Sequence, residues 1–190
     1  PKYHIVKPDM FEHVTVNNFS DKIVLKPMKS GSSVGIKILN LQDFMTTDSD
    51  LSYKRLCEYM VDDIAPHDYF IEQYIDHAEY TAPIISNKVL PIIKIDTERE
   101  FYNYNAKYID SNTSFTFPKF PASVQEKINN TALEAFALLG CSTWGRIDFF
   151  MNQNFEINLI EINSIPGMTS HSLVPMSAKY SGLNYITEKI

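Results

Sequence analysis

Neither of the common glycine-rich phosphate cradles occurs in this sequence: there is no GxxxxGK[ST] and no GxGxxG. A nucleotide, if one binds, is held by other means. No run of about 18 apolar residues is present, so no membrane-spanning helix and no membrane partner is expected. The opening Pro1-Lys2-Tyr3-His4 has neither a signal-peptide pattern nor an initiator methionine, so the chain is expected to be an excised piece of something longer. Cysteine is scarce. Cys57 and Cys141 stand far apart with no CxxC spacing, as packed, reduced thiols of a cytoplasmic protein would. The five histidines are scattered without HExxH, which argues against a zinc site. Basic residues are outnumbered, 17 Lys and Arg against 23 Asp and Glu, for a net charge of −6. With a pI near 5.3, a nucleic-acid-binding role is not expected. A local convergence of lysine and arginine could still hold a smaller polyanion.

The 190 residues suffice for one good core or for two small lobes around a cleft. Tyr3 to Val6 reads as extended, with Pro8 fit for a first helical turn. Lys22 to Leu25 is a short apolar strand stopped by Pro27, Gly31-Ser32-Ser33 is a loop, and Val34 to Leu39 resumes the strand period. Leu51 to Val61 has helical periodicity, with Leu51, Leu56, Tyr59 and Met60 inward. Asp68 to Ile75 is a strand leading into a connector at Asp76-His77-Ala78. Glu79 to Ile95 is rich in strand, with a hairpin turn at Ser86-Asn87-Lys88. Thr97 to Pro121 is polar and aromatic with little periodicity, the composition of a functional or disordered loop. Val124 to Leu139 is an amphipathic helix closed by Gly140. Trp144–Met151 and Phe155–Ile162 are strands around Asn152-Gln153-Asn154, and a last helix starts near Ser172. Strand runs with separated helices indicate an α+β fold rather than a doubly wound parallel sheet.

Four groupings could carry chemistry, and each has a plainer alternative. In Lys26-Pro27-Met28-Lys29-Ser30-Gly31-Ser32-Ser33-Val34-Gly35, small residues let backbone N–H groups approach an anion beside Lys26; the alternative is a flexible hairpin tip. In Gly145-Arg146-Ile147-Asp148 and Glu161-Ile162-Asn163, the period of two sends Arg146 and Asp148 to one face, and Glu161 and Asn163 likewise. Two carboxylates and an amide oxygen on one sheet surface would repel unless a hard cation such as magnesium bound them. Arg146 would add fixed positive charge. The alternative is a ladder of surface ion pairs, against which Trp144, Phe149, Ile160 and Ile162 look buried. Pro166 to Leu173 could bind a carboxylate at a helix start, or be ordinary capping by Ser170 or Ser172. Phe101 to Tyr108 could close a lid with Lys107 on a phosphate, or be a solvated aromatic loop.

Taken in order, LKPMKSGSSVG, IEQYIDHAEYT, VLPIIKI, FYNYNAKY, GCSTWGRIDFF and LIEINSIPGMTSHSLVPM resemble the D-alanine–D-alanine ligase family of the ATP-grasp superfamily. The resemblance covers nearly the whole chain, and its last two segments are the most specific. It implies an enzyme whose two α+β lobes, with mostly antiparallel sheets, sandwich ATP: a small lobe over 1–75 and a large lobe over 76–190. It implies that ATP phosphorylates one D-alanine and that the amine of a second attacks the acyl phosphate, making D-alanyl-D-alanine for peptidoglycan.

By this resemblance Lys26 and Lys107 contact phosphates, with the amides of Ser32 and Ser33 nearby. Glu72 and the backbone of Gln73 and Ile75 hold adenine, Glu79 meets the ribose, and Phe101, Phe150 and Ile160 form apolar walls. Asp148, Glu161 and Asn163 match ligands of two magnesium ions, for which manganese could substitute. Arg146 and the amide of Gly167 match groups that stabilise the tetrahedral intermediate, and Ser172 and Leu173 match the seat of the second substrate's carboxylate. Tyr108, paired with Ser32, matches the mobile-loop tyrosine of dipeptide-forming members, which implies an amide product. The resemblance also implies a homodimeric parent.

There are departures. Ser30 stands where the family often has Glu, and Ile162 and Ser164-Ile165 replace common small residues. The family's N-terminal substrate domain, about a hundred residues, has no counterpart here, nor has the phosphate-contacting lysine just before this segment. Three expectations follow: a fragment of an authentic ligase that binds ATP without activity alone, another ATP-grasp carboxylate–amine ligase, or a nucleotide-binding module without catalysis.

Overall fold

The computed structural model describes residues 1–6, 19, 21–31, 33–44, 69–96 and 113–183. The expected helix at Leu51 to Val61, Pro8, the 101–108 loop, Ser32 and Cys57 lie outside them. The chain divides into two compact units, Pro1–Asp76 and the described residues from His77 onward.

The first unit is built on a four-stranded sheet ordered β1-β4-β2-β3. Its strands are β1 (Tyr3–Val6), β2 (Lys22–Pro27), β3 (Lys37–Asn40) and β4 (Tyr69–Gln73), all paired antiparallel. Alternation sorts β2. Ile23, Leu25 and Pro27 are buried, while Lys22, Val24 and Lys26 are half-buried. Ile23, Leu25, Leu41, Tyr69 and Ile71 make the core, with Phe19, Leu39 and Phe44 packed on it. Two expectations shift here. β2 runs through Pro27 instead of stopping before it, and Val34-Gly35 belong to a turn, so β3 starts only at Lys37. Gly35 explains the delay: its φ is +78°, and a Cβ there would fall 2.9 Å from Pro27 Cγ.

The second unit carries a six-stranded sheet ordered β10-β9-β5-β7-β8, with β6 paired to β5. Its strands are β5 (Ala78–Ile85), β6 (Lys88–Val89), β7 (Ile93–Asp96), β8 (Ser114–Thr116), β9 (Trp144–Met151) and β10 (Ile157–Asn163), and every pairing is antiparallel. The β5–β6 turn falls where expected. Ser86 and Asn87 have φ of 48° and 58°, the positive pair that a two-residue hairpin uses to match strand twist. Helix α1 (Ala122–Leu138) lies on one sheet face. Ile128, Ala132 and Phe136, spaced by four, meet Ala82, Ile84, Ile147, Phe149 and Met151. α1 begins two residues before the expected Val124, directly after Pro121, and Gly140 at φ +70° ends it, as the sequence indicated. Helix α2 (Leu173–Tyr180) is tied in by Ser177 Oγ, which donates to the Pro91 carbonyl at 2.7 Å.

The expectation of an irregular Thr97–Pro121 is corrected in part, because β8 lies within it. Three residues paired to β7 are too few to leave a period in the sequence. β10 also starts two residues later than expected. Phe155 has φ 59°, and Asn152 Oδ1 accepts from the backbone N–H of Asn154 and Glu156, so the turn extends to that point.

Candidate functional site

In the first unit, Lys26 and Glu72 share the sheet face turned away from the core. β2–β4 pairing sets Val24 opposite Glu72 and Lys26 opposite Phe70, which brings the Lys26 ammonium onto the Glu72 carboxylate as an ion pair. The ammonium also stands 5.9 Å from the centre of the Phe70 ring. Glu72 is only 9 % exposed, so the lysine supplies the charge that makes its burial tolerable. At the end of β4, the Gln73 N–H is committed to the Lys2 carbonyl at 2.9 Å and the Tyr74 N–H to that of Lys22. Ser33 stands at φ 59° in the loop after β2, and the Val34 N–H closes back onto the Gly31 carbonyl at 3.1 Å.

In the second unit, three strands lay their polar residues in rows on the face opposite α1. Asp148 of β9 has Thr81 of β5 as partner on one side and Glu161 of β10 on the other. The next row is Pro83, Arg146 and Asn163, and the row on the other side is Glu79, Phe150 and Asn158. The alignment depends on a bulge. Asn158 and Leu159 pair with Phe150 and Phe149, but Glu161, not Ile160, pairs with Asp148. The packing shows the same step: Ile157, Leu159 and Ile162 pack on the α1-side core, and Ile160 is not among the hydrophobics that do. In a β10 of strict alternation, Glu161 and Asn163 would turn toward α1.

Asp148 is the hub of this face. It is 4 % exposed, and both its oxygens are engaged. Oδ1 accepts from Thr81 Oγ1 at 2.6 Å and from Arg146 Nε at 2.8 Å. Oδ2 accepts from Arg146 Nη2 at 2.7 Å and from Asn163 Nδ2 at 3.0 Å. The two-point arginine contact is the strong, directional form of the ion pair. Asn163 Nδ2 also reaches Glu161 Oε1 at 3.2 Å, so one amide NH₂ bridges two carboxylates.

That bridge provides a test of cation fit. The amide places partial positive charge where two carboxylates converge. Turned about its last torsion, it would present its oxygen to the same point as a third oxygen ligand. The donors are two carboxylates and an amide oxygen, hard oxygen rather than sulfur or imidazole, and the third has to come from Asn163, because among the described residues no cluster of three or more His, Cys, Asp or Glu gathers. Such a set fits magnesium or manganese.

The loop before α2 contributes the remaining candidates. Ser172 occupies the N-cap position, yet its hydroxyl makes no capping bond to the helix. It accepts from the Thr169 N–H at 3.0 Å and shares a proton with Thr169 Oγ1 at 2.9 Å. A Cβ on Gly167 would fall 2.9 Å from Ser172 Oγ. Side-chain capping by Ser172 is therefore not what the structure shows, and the N–H groups at the start of α2 are left without it.

The structure thus brings Arg146, Asp148, Glu161 and Asn163 together, with Phe150 and Glu79 in the adjoining row. Lys26 and Glu72 meet in the first unit, and Gly167 and Ser172 meet before Leu173. Ser32, Phe101, Lys107 and Tyr108 lie outside the described residues. Two features were missed from sequence: the Lys26–Glu72 pair and the role of Thr81. The only signal for Thr81 was its spacing of two from Glu79.

Among the described residues, no helix is long and apolar enough to cross a membrane. The family described as "D-ala D-ala ligase C-terminus" matches residues 3–188. A D-alanine–D-alanine ligase of Marinobacter nauticus is 37 % identical over 162 residues, 85 % of this chain and 47 % of that protein. A solved D-alanine–D-alanine ligase of Bacillus anthracis aligns at a TM-score of 0.71 and 32 % identity, covering 96 % of this chain and 57 % of that one. The structure of that organism's ligase complexed with ATP gives 0.72 and 26 %, over 96 % and 55 % of the two chains. The chain spans about half the length of the curated relatives it matches.

Proposed function

Because the chain belongs to the family of D-alanine–D-alanine ligase C-terminal regions, and has the α+β ATP-grasp fold of those enzymes, we propose that it is the nucleotide- and metal-binding part of such a ligase. The reaction of the whole protein would be ATP-dependent joining of two D-alanines in the cytoplasm, for cell-wall precursor synthesis. The γ-phosphoryl group passes to a carboxylate oxygen of the first D-alanine. The amine of the second attacks the resulting acyl phosphate, forms the amide bond, gives up a proton and expels inorganic phosphate.

The observation that carries this proposal is the cross-strand pairing of Asp148 with Glu161 beside Arg146 and Asn163. Asp148, Glu161 and Asn163 would hold magnesium, which when bound offsets phosphate charge and polarises the transferring group. Arg146 would stabilise the negative charge that develops on the carbonyl oxygen of the attacked acyl phosphate, together with the Gly167 N–H. Lys26, Lys107 and the amides of Ser32 and Ser33 would neutralise phosphates. Glu72, Gln73 and Ile75 would receive adenine and Glu79 the ribose, against walls of Phe101, Phe150 and Ile160. Ser172 and Leu173 would receive the second carboxylate. This is supported by the first N–H groups of α2, which no Ser172 side-chain cap occupies. Tyr108, with Ser32, would favour an amine over a hydroxyl as second substrate.

Relatives with this activity are about twice as long, so turnover is ascribed to the longer protein and metal–nucleotide binding to these 190 residues. The test is phosphate release from the 190-residue chain supplied with ATP, magnesium and D-alanine, beside calorimetric ATP binding. Binding without release is expected. Brisk release would refute the division of labour, and absence of magnesium-dependent ATP binding would refute the assignment itself.

A further inference from the structure

We infer that Thr81 is the positioning residue that orients Asp148 for its cation, an inference that rests on the metal site proposed above. Thr81 is wholly buried, at 0 % exposed, and directly opposite Asp148 in the β5–β9 ladder. Its hydroxyl has one proton and two acceptors in view, Asp148 Oδ1 at 2.6 Å and the Ile147 carbonyl at 3.4 Å. The shorter contact to the charged acceptor takes the proton. A β-branched side chain in a strand has few rotamers, so this donor is fixed before any ligand arrives.

The carboxylate geometry makes the donor consequential. Oδ1 is filled by Thr81 Oγ1 and Arg146 Nε, and Oδ2 by Arg146 Nη2 and Asn163 Nδ2. Of these the Asn163 contact is the longest, at 3.0 Å, and of the two donors at Oδ2 only the amide can turn about and offer an oxygen instead. A cation therefore enters at Oδ2, on the side of Glu161, as the Asn163 amide turns. Thr81 keeps Oδ1 occupied meanwhile, so the carboxylate presents one oxygen in a set direction. A carboxylate torsion is otherwise broad. With the hydroxyl gone, Asp148 is steadied at Oδ1 only by Arg146, a long side chain from its own strand.

The test uses manganese as probe on the whole 190-residue chain with ATP, free ion being counted by its electron paramagnetic resonance signal. Thr81→Val and Thr81→Ala remove the hydroxyl, and Thr81→Ser keeps it. Loss of an outer partner of a metal ligand weakens metal affinity about 10–100-fold, and that loss is expected for Val and Ala. Thr81→Ser should stay within about threefold of the parent, and metal-free ATP affinity should hold within about threefold in all three variants. The two hydroxyl-less variants guard against one failing to fold. Unchanged manganese affinity in either folded hydroxyl-less variant overturns the role of Thr81, as does an equal loss in Thr81→Ser. Glu161→Gln separates the two levels. If it and Thr81→Val both leave manganese affinity unchanged, or the parent chain binds none, the metal site has failed. If only Glu161→Gln weakens it, the positioning role alone is lost.

Discussion

Replacing Asp148 with asparagine probes the hub of the site through stability, independently of any ligand. The Arg146–Asp148 pair is largely withdrawn from water, with side chains 13 % and 5 % exposed. Removing one partner of a buried pair strands the other charge and costs about 3–5 kcal/mol. Two effects reduce that figure. Asparagine keeps one acceptor oxygen, worth about 1 kcal/mol. Repulsion between Asp148 and the exposed Glu161 is relieved, by about 1 kcal/mol in water-like surroundings. The stranded charge wins, leaving a net loss of about 1–3 kcal/mol. For a domain of this size that lowers the melting temperature by about 2–12 °C. Trp144, the sole tryptophan, lies on the same strand, so its fluorescence follows the unit that contains the pair. The double variant Arg146→Gln/Asp148→Asn should cost less than the sum of the single changes, by at least about 1 kcal/mol. A melting temperature that is unchanged or raised in Asp148→Asn, or additive single costs, would refute the claim that Arg146 depends on Asp148.

Gly145→Ala should destabilise the second unit by about 1–3 kcal/mol. The added methyl would stand 2.4 Å from Phe136 Cε2 and 3.1 Å from the Asn163 carbonyl oxygen; a chemical melt with an unchanged midpoint contradicts this. Stability should also fall in alkali through two groups. Burial, offset by the Lys94 charge and reinforced by that of Asp96, holds the Tyr80 phenol above its ordinary value. The hydrogen bond it donates to Asp96 Oδ1, 2.5 Å away, holds the Lys94 ammonium above its own. Each folded pKa is raised, so each contribution is complete below the ordinary values of 10.0 and 10.5 and is lost as pH climbs through the folded ones. Denaturant midpoints followed from pH 8 to 11 should drop less in Tyr80→Phe/Lys94→Met than in the parent; equal slopes would count against it.

Local signals were readable and long-range ones were not. α1 showed in the amphipathic period of Val124 to Leu139 with Gly140 behind it, and the β5–β6 turn showed in Ser86-Asn87-Lys88. That Arg146 and Asp148 share a face follows from alternation within one strand. Thr81 lies 67 positions from Asp148, and Lys26 likewise meets Glu72 across a large gap in sequence. Both meetings depend on which strands are neighbours, and sheet order leaves no local pattern. β8 escaped notice because three residues cannot establish a period. Ser172 occupies the N-cap position that composition indicates, yet its side chain turns to Thr169, a choice made by the loop rather than by residue type.

The bulge at Ile160 makes the site a matter of counting. Between Leu159 and Glu161, β10 carries one residue more than β9, and the ladder takes it up without turning the strand end over. Ironing out the bulge with Ile160 retained would set Ile160 opposite Asp148 and carry Glu161 and Asn163 into the apolar layer beneath α1. Deleting Ile160 would instead leave Glu161 facing Asp148 on a regular ladder, so the site tolerates the loss of that residue and fails on a slip of register.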